Sequence, residues 1–387
     1  MTPSVALCFA DVAVHEALPW ARQSLHQVAL AQMRASDPYG AFLARGADAG
    51  DYRFHLGADG APRIVHGSGW NAYVGPAPAP FTTPDDLNVF GAALAVVAEA
   101  SQIFVHNFAP PQDAITLNAL TWCNELVSEH PRSPTSFGEV WTVGAGSVGT
   151  AALYFMSLAS RDFSTRLFDH DKVKRQNLDR SPIFIASDVD DPKVKAVERY
   201  LKAIGVRDVH GDPHALHECD AWLNRDAGHP DVVIAAANEM KVRYFIEAGY
   251  PPLQLYGTTG KNWQVASVRH EPSGPACSLC LFPEDAAPGD TACATAPPET
   301  KSSSDEPEVD AALPFLSFAA GLMTAAEVAK RLLPGFPFNS DRVIFNTRPH
   351  PHLVPAPLLH RAGCYCESRA RNIHAAMLAK PHKTTAA

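Results

Sequence analysis

Gly144, Gly146 and Gly149 stand in G-x-G-x-x-G spacing within WTVGAGSVGT. Glycines so spaced let a strand turn sharply into a helix and let a phosphate come close to the backbone. The helix N-terminus then offers free N–H groups and partial positive charge. Taken alone, the spacing also suits a nicotinamide or flavin dinucleotide. The next residues narrow it. Asp169 closes the following apolar run, where an acid can hold ribose hydroxyls, and Asp171 comes two residues later. Asn177, Arg180 and Lys193 follow. A dinucleotide reader has no need of that cluster. A site that splits ATP between its α- and β-phosphates does need it, because cations must balance the polyphosphate and steady the departing pyrophosphate. Lys195 is the alternative cation. It lies about half a helical turn from Lys193, so only one of the two should face inward.

Thiols form a second set. Cys277–Ser278–Leu279–Cys280 is a C-x-x-C knuckle, and Cys364–Tyr365–Cys366 lies far downstream. In a cytosolic chain, close cysteine pairs serve as metal ligands or redox groups more often than as structural disulfides. Cys293 sits apart, among prolines and small residues in PGDTACATAPPE. Cys8, Cys123 and Cys219 stand alone and read as structural. The histidines at 210, 214, 217, 350 and 352 fall in loop-like stretches and read as solvated.

The order and spacing of these motifs resemble the ubiquitin-activating-type (ThiF/MoeB-like) adenylating superfamily. That family has a glycine loop, then an acid-x-acid, an N-L-x-R block and a lysine opening the next helix. Here these are GAGSVG, Asp169–His170–Asp171, Asn177–Leu178–Asp179–Arg180 and Lys193. The likeness runs through about residues 138–366. It implies that ATP lies against Gly146, that Asp169 holds the ribose, and that Asn177, Arg180 and Lys193 face the phosphates. It implies one structural Zn²⁺ on Cys277, Cys280, Cys364 and Cys366, although the second pair is C-x-C rather than C-x-x-C. It also implies a thioester nucleophile at Cys293. One departure matters. The family carries an Asp after the PDVVI strand, for Mg²⁺ and the adenylate, and this chain has Asn238. Asn offers an oxygen without charge, so Mg²⁺ should bind more weakly unless Asp171, Glu239 or the phosphates suffice.

The elements that must position these groups alternate. EVWTVGAG, TRLFDHD (165–171), PDVVIAAAN (230–238), LQLYGTTG, NWQVASVRH and VIFNTR (343–348) read as strands. Helices are expected near 88–105, 150–160, 192–204 and 314–332, and in the tail after CYC. Asp85, Asp86 or Asn88 can cap the first. The expected fold class is α/β: a Rossmann-like adenylation domain with an extended mixed sheet, preceded by a smaller, α-rich or α+β N-terminal domain. The boundaries read as 1–130 for that first domain and, after a linker at 130–139, 131–276 for the ATP-binding core. A knuckle and crossover loop follow at 277–310, then a closing segment at 311–387. FGAALAVVAEASQ (90–102) aligns without gaps on FAAGLMTAAEVAK (318–330), which offers the reading of the first domain as a degenerate half of a pseudo-dimer.

The formal charge of -9 argues against nucleic-acid binding. The apolar run 315–326 is too short to cross a bilayer and is followed by Glu327, Lys330 and Arg331. The start lacks the pattern of a secretory signal, and a cytoplasmic protein is expected. The resemblance implies a ubiquitin-like protein as partner, with a conjugating enzyme downstream and a homodimer or pseudo-dimer as the assembly. It points towards bacterial conjugation operons, some of which act in antiviral defence. Two alternatives stay open at this level: a sulfur-carrier activator ending in a thiocarboxylate, and a non-catalytic scaffold whose site has decayed at Asn238.

Overall fold

The computed structural model describes residues 5–9, 52–56, 64–81, 88–106, 110, 112–128, 131–223, 230–249, 251–260, 263–271, 276–281, 313–333 and 341–367. Cys293, the rest of the 282–312 segment and the expected C-terminal helix lie outside these residues.

The first part of the chain carries β1 (Val5–Phe9), β2 (Tyr52–Leu56), β3 (Ile64–Ser68), β4 (Asn71–Gly75), α1 (Phe90–His106) and β5 (Ile115–Asn118). Its five strands form one sheet in sequence order. β1, β2 and β3 run parallel, and β4 and β5 add on antiparallel. The sheet is more β-rich than composition suggests, because short strands such as VALCF and YRFHL carry no turn signal of their own. Asn88 does cap α1: its side-chain oxygen accepts the Phe90 N–H at 3.0 Å.

The second part begins with β6 (Ser136–Val143), α2 (Ser147–Ala159), β7 (Asp162–Phe168), α3 (Lys193–Ala203) and β8 (Asp208–Asp212). It continues through α4 (Asp220–Leu223), β9 (Val232–Ala235), α5 (Met240–Gly249), β10 (Gln254–Gly260) and β11 (Gln264–His270). α6 (Ser278–Leu281), α7 (Pro314–Lys330), β12 (Arg342–Asn346) and β13 (His352–Ala356) complete it. The sheet order is β13-β12-β11-β10-β9-β6-β7-β8. Strands β8, β7, β6, β9 and β10 are parallel, and β11, β12 and β13 extend the sheet antiparallel. This is the α/β, Rossmann-like mixed sheet expected above.

Two expected boundaries move. The stretch 130–139 is not all linker, since β6 starts at Ser136 with an irregular step between Ser136 and Gly138. Strand β7 ends at Phe168, so Asp169 and Asp171 lie beyond it, in the loop where polar groups can reach a ligand.

Helix α7 is buried along almost its whole length, packed on α2, β10 and β11 and covered by α1. Two of the charges that follow its apolar run are buried. Glu327 and Lys330 do not mark an exposed end. They form a buried pair at 2.5 Å, with the Trp122 N–H donating to the same Glu327 oxygen and the Lys330 ammonium 4.5 Å from the indole centre. Such a charge is tolerated only because it is paired and stacked. Burial nevertheless lowers the Lys330 pKa, against the raising effect of Glu327.

Candidate active site and cysteine cluster

Strands β6 and β9 are neighbours in the sheet, yet the chain goes from β6 first to β7 and β8 and only then to β9. The carboxyl ends of β6 and β9 therefore flank a topological switch point, where open α/β sheets bind ligands. The glycine loop occupies it. Gly144 has φ +95°, a conformation that favours glycine, and a Cβ there would lie 2.6 Å from the Ala237 nitrogen. At Gly149 a Cβ would meet the Gly144 carbonyl oxygen at 2.0 Å, so the loop closes tightly on its own helix. Gly146 differs: nothing lies within 4 Å of its ideal Cβ position. It is the N-cap of α2 and makes no side-chain cap bond, so the first N–H groups of the helix stay available to an anion.

Asp169 is tied to this loop. One of its oxygens accepts the Ala145 N–H at 2.7 Å and the other accepts the Asp171 N–H at 2.8 Å. Each carboxylate oxygen has a further lone pair for a ribose hydroxyl. Burial raises the Asp169 pKa, opposed by the Lys193 charge and the two backbone bonds. Lys193 opens α3 and is pinned by its own N–H to the Asp171 carbonyl at 2.9 Å. Its ammonium meets an Asp171 oxygen at 2.7 Å, and its side chain is only 10% exposed against 49% for Asp171. For Asp171, burial pushes the pKa up, but the Lys193 bond and charge outweigh it and the net direction is down. Lys195 points the other way, exposed and paired with Glu198 at 2.9 Å. The half-turn argument is thus realised, with Lys193 inward.

Asn177 and Arg180 lie on the loop between β7 and α3, both half-buried. The Asn177 side-chain oxygen accepts the Lys174 N–H at 2.9 Å and fixes the short turn Arg175–Asn177, and the Arg180 N–H reaches the Asn177 carbonyl. Asn238 and Glu239 are exposed just past the end of β9, whose continuation is held to β6 by the Ala236 N–H on the Val143 carbonyl at 2.8 Å. A shallow cavity of about 190 Å³, lined by Arg166, Phe168, His210, Gly211, Asp212 and Pro213, opens beside the ends of β7 and β8. The larger cavity, about 770 Å³, opens at the amino ends of β6, β7 and β8 and is remote from these groups.

The thiols converge elsewhere. The ligand atoms of Cys277, Cys280, Cys364 and Cys366 all lie within 4.8 Å of one another. Individual S···S separations are 3.9 Å for 277–280, 3.5 Å for 277–364 and 3.4 Å for 280–366. A disulfide needs about 2.05 Å. A tetrahedron of thiolates with metal–sulfur bonds of about 2.3 Å has edges of about 3.8 Å, so the donor set fits Zn²⁺. The C-x-C pair brings both of its thiols into the cluster. Beside it lies a network with no sequence motif. The Glu247 carboxylate accepts the Ser278 hydroxyl at 2.8 Å and its N–H at 3.4 Å, and meets the His270 ring at 3.2 Å, all buried. It ties α5 and β11 to the knuckle. Of the lone cysteines, Cys219 is buried and its thiol is pushed up to about 12 by that burial, as for a structural residue.

The sheet order, the glycine loop at its switch point and the acid–lysine cluster define a nucleotide-type α/β protein. A family model described as the ThiF family matches residues 133–363, and the chain belongs to that family. The matched span agrees closely with the extent read from the motifs. No curated protein matches the sequence. Among solved structures, the chain is similar to Escherichia coli MccB with ATP at 12% identity and a TM-score of 0.42, covering 59% of this chain and 66% of that one. MccB with MccA-N7isoASN gives 13% identity and a TM-score of 0.43 over the same shares. The chain thus spans just under two thirds of the length of these structures. Among the described residues, no helix is long and apolar enough to cross a membrane.

Proposed function

We propose that this protein uses ATP to adenylate the C-terminal carboxylate of a ubiquitin-like protein. The observation that carries the reading is the convergence of Lys193, Asp169 and Asp171 on the glycine loop at the β6–β9 switch point. The carboxylate oxygen attacks the α-phosphorus. An O–P bond forms, the bond from the α-phosphorus to the bridging oxygen breaks, and pyrophosphate leaves. The nucleophile is already an anion, so no protein base is needed. The chain positions and neutralises. Gly146 leaves room for the phosphates, Asp169 holds the ribose, and Lys193, Arg180 and Asn177 face the polyphosphate. Mg²⁺ would rest on Asp171, Asn238 and the nucleotide's own oxygens. Zn²⁺ on the four cysteines would be structural, joining the start of the crossover to the end of the domain.

The second step falls to Cys293. Its thiolate attacks the acyl-adenylate carbonyl, AMP leaves, and the thioester passes to the cysteine of a conjugating enzyme. The unbridged state of the six described cysteines suits a cytoplasmic setting. ATP–pyrophosphate exchange that depends on a ubiquitin-like protein tests the first step. A reducible adduct lost in Cys293→Ala, with exchange retained, tests the second. Exchange without any adduct in the wild type would move the reading to a sulfur-carrier activator. Nucleotide binding with no exchange would move it to the scaffold that exposed Asn238 suggests.

A further inference from the structure

Helix α5 (Met240–Gly249) joins the two sites described above. It begins just after Asn238 and Glu239, at the carboxyl end of β9, and delivers the chain to the amino end of the parallel strand β10. Ten residues of α-helix span about 15 Å, so α5 runs from one edge of the sheet to the other. The glycine loop lies at the first edge. The cysteine knuckle lies at the second, beside His270 at the end of β11, which pairs with Gln254 at the start of β10.

α5 is fixed at both edges. Near its start the buried Arg243 side chain donates from Nε to the Ala237 carbonyl at 3.4 Å. A Cβ on Gly144 would strike the Ala237 nitrogen at 2.6 Å, so the segment that Arg243 holds packs directly on the glycine loop. Glu247 follows four residues later, on the same face of the helix. Both its oxygens are committed. Oε2 accepts the Ser278 hydroxyl at 2.8 Å and the Ser278 N–H at 3.4 Å, and Oε1 meets His270 Nε2 at 3.2 Å. Ser278 follows Cys277, so these bonds orient the peptide unit that carries the first thiol of the knuckle. The Cys280 N–H then closes the turn on the Cys277 carbonyl at 3.0 Å.

Glu247 is 1% exposed and sits next to a cluster of thiols. A carboxylate so placed is tolerated only where it is hydrogen-bonded, and an apolar side chain would fill the position without its desolvation penalty. What the carboxylate adds is direction: it ties one defined peptide of the knuckle to one defined turn of α5.

We propose that Glu247 is a positioning residue shared by the two sites: it locks the knuckle to α5, and α5 carries that constraint to residues 236–239 at the switch point, so that metal on the four cysteines and nucleotide on the glycine loop each strengthen the binding of the other. The help is mutual by linkage, since whatever factor the metal contributes to nucleotide affinity the nucleotide contributes to metal affinity. At its nucleotide end the coupling rests on the ATP reading given above. The hold of Glu247 on the knuckle does not.

Release of Zn²⁺ from the full-length loaded protein to a chromogenic chelator, timed with and without Mg²⁺-saturated ATP, tests both ends. In the wild type ATP should slow release about fivefold or more. Glu247→Ala should still take up the ion, release it about tenfold or more faster, and lose the effect of ATP. Glu247→Gln keeps an acceptor for the Ser278 hydroxyl and should fall between the two. Hydrogen exchange without nucleotide gives a second readout. In Glu247→Ala it should rise in 276–281 and 236–243, while β7 and α2 keep wild-type protection. A uniform rise would make Glu247 a packing residue and overturn the proposal. So would ATP that binds by calorimetry yet leaves release from the wild type unchanged, or slows it equally in Glu247→Ala. ATP that does not bind at all would sink the adenylation reading and the coupling with it, and faster release with local exchange would then support the hold on the knuckle alone. Should Glu247→Ala not fold, Glu247→Gln and the wild-type effect of ATP decide.

Discussion

The carboxyl edge of the parallel strands and the cysteine cluster both grow from short motifs, but they are built in opposite ways. At the edge most candidate groups hang on loops, partly exposed, with Lys193 buried at the start of α3, and they are oriented by backbone bonds and one ion pair. At the cluster four thiols, three of them buried, close on one another, with Glu247, Ser278 and His270 packed behind them. The first arrangement leaves room for something to enter and change. The second leaves none beyond an ion. Removing a group from the edge should therefore cost activity with little stability, and removing one from the cluster should cost stability first.

The largest expected effect lies at the cluster. Metal bound to four thiolates contributes directly to folding, by apparent free energies of order 10 kcal/mol in small zinc domains. Cys277→Ser should lower bound Zn²⁺, measured by elemental analysis, from about one per chain towards zero, and should drop the melting temperature by about 10 °C or more. A variant that lost the ion but kept its melting temperature would break the contrast.

Next is Lys193→Ala. Removing one charge-stabilising group from a phosphoryl site costs about 10²–10³-fold in rate. Partner-dependent pyrophosphate exchange should fall by about that factor, while Lys195→Ala should stay within about threefold of wild type, since Lys195 is a solvated residue paired with Glu198. Equal losses in both variants would mean that the inward lysine plays no special part.

Gly146 sharpens the same contrast. Its φ is -77° and its ideal Cβ position is open, so Ala should fit the fold and change stability by about 0.5 kcal/mol or less. If ATP lies against it, the added methyl fills ligand space, and ATP affinity measured by calorimetry should drop about tenfold or more. Gly149→Ala is the control in the other direction. Its Cβ would meet backbone at 2.0 Å, so the unfolding free energy should fall as for an overpacked site, by about 1–3 kcal/mol, seen as a lower melting temperature. Unchanged ATP affinity in Gly146→Ala would place the nucleotide elsewhere.

The two regions also differ in how much of them the sequence displays. The glycine loop is legible because its turn demands Gly144 and its helix packing demands Gly149, and both demands are local. Lys193 is separable from Lys195 because a helix of known period allows only one to point inward. The thiol pairs are legible as ligands, though their meeting across 87 positions was an expectation from resemblance rather than from spacing. The rest depends on contacts that no local pattern encodes. Glu247 reaches Ser278 across 31 positions and His270 across 23. Glu327 and Lys330 look like the polar end of an apolar run until Trp122, 205 positions from Glu327, is found over them. The small sheet is hidden for a related reason: its strands of four or five residues draw their stability from neighbours rather than from their own composition.

The smallest expected effect concerns Asn238. It stands exposed beside the glycine loop, at the position where the resemblance implies an acid. An added carboxylate there would give a hard cation one more charged oxygen, but in an open, well-solvated position, so the gain is modest. Asn238→Asp should lower the Mg²⁺ concentration for half-maximal exchange by about two- to fivefold, roughly 0.4–1 kcal/mol, with no change in ATP affinity in the absence of the metal. The sign is the informative part. A gain would mean that this edge already holds the cation weakly and that the Asn has detuned a working site. No change would mean that Asp171 and the phosphates carry the ion without help from β9. A loss would mean that the Asn amide donates to something an acid cannot serve, and position 238 would then belong with substrate recognition rather than with the metal.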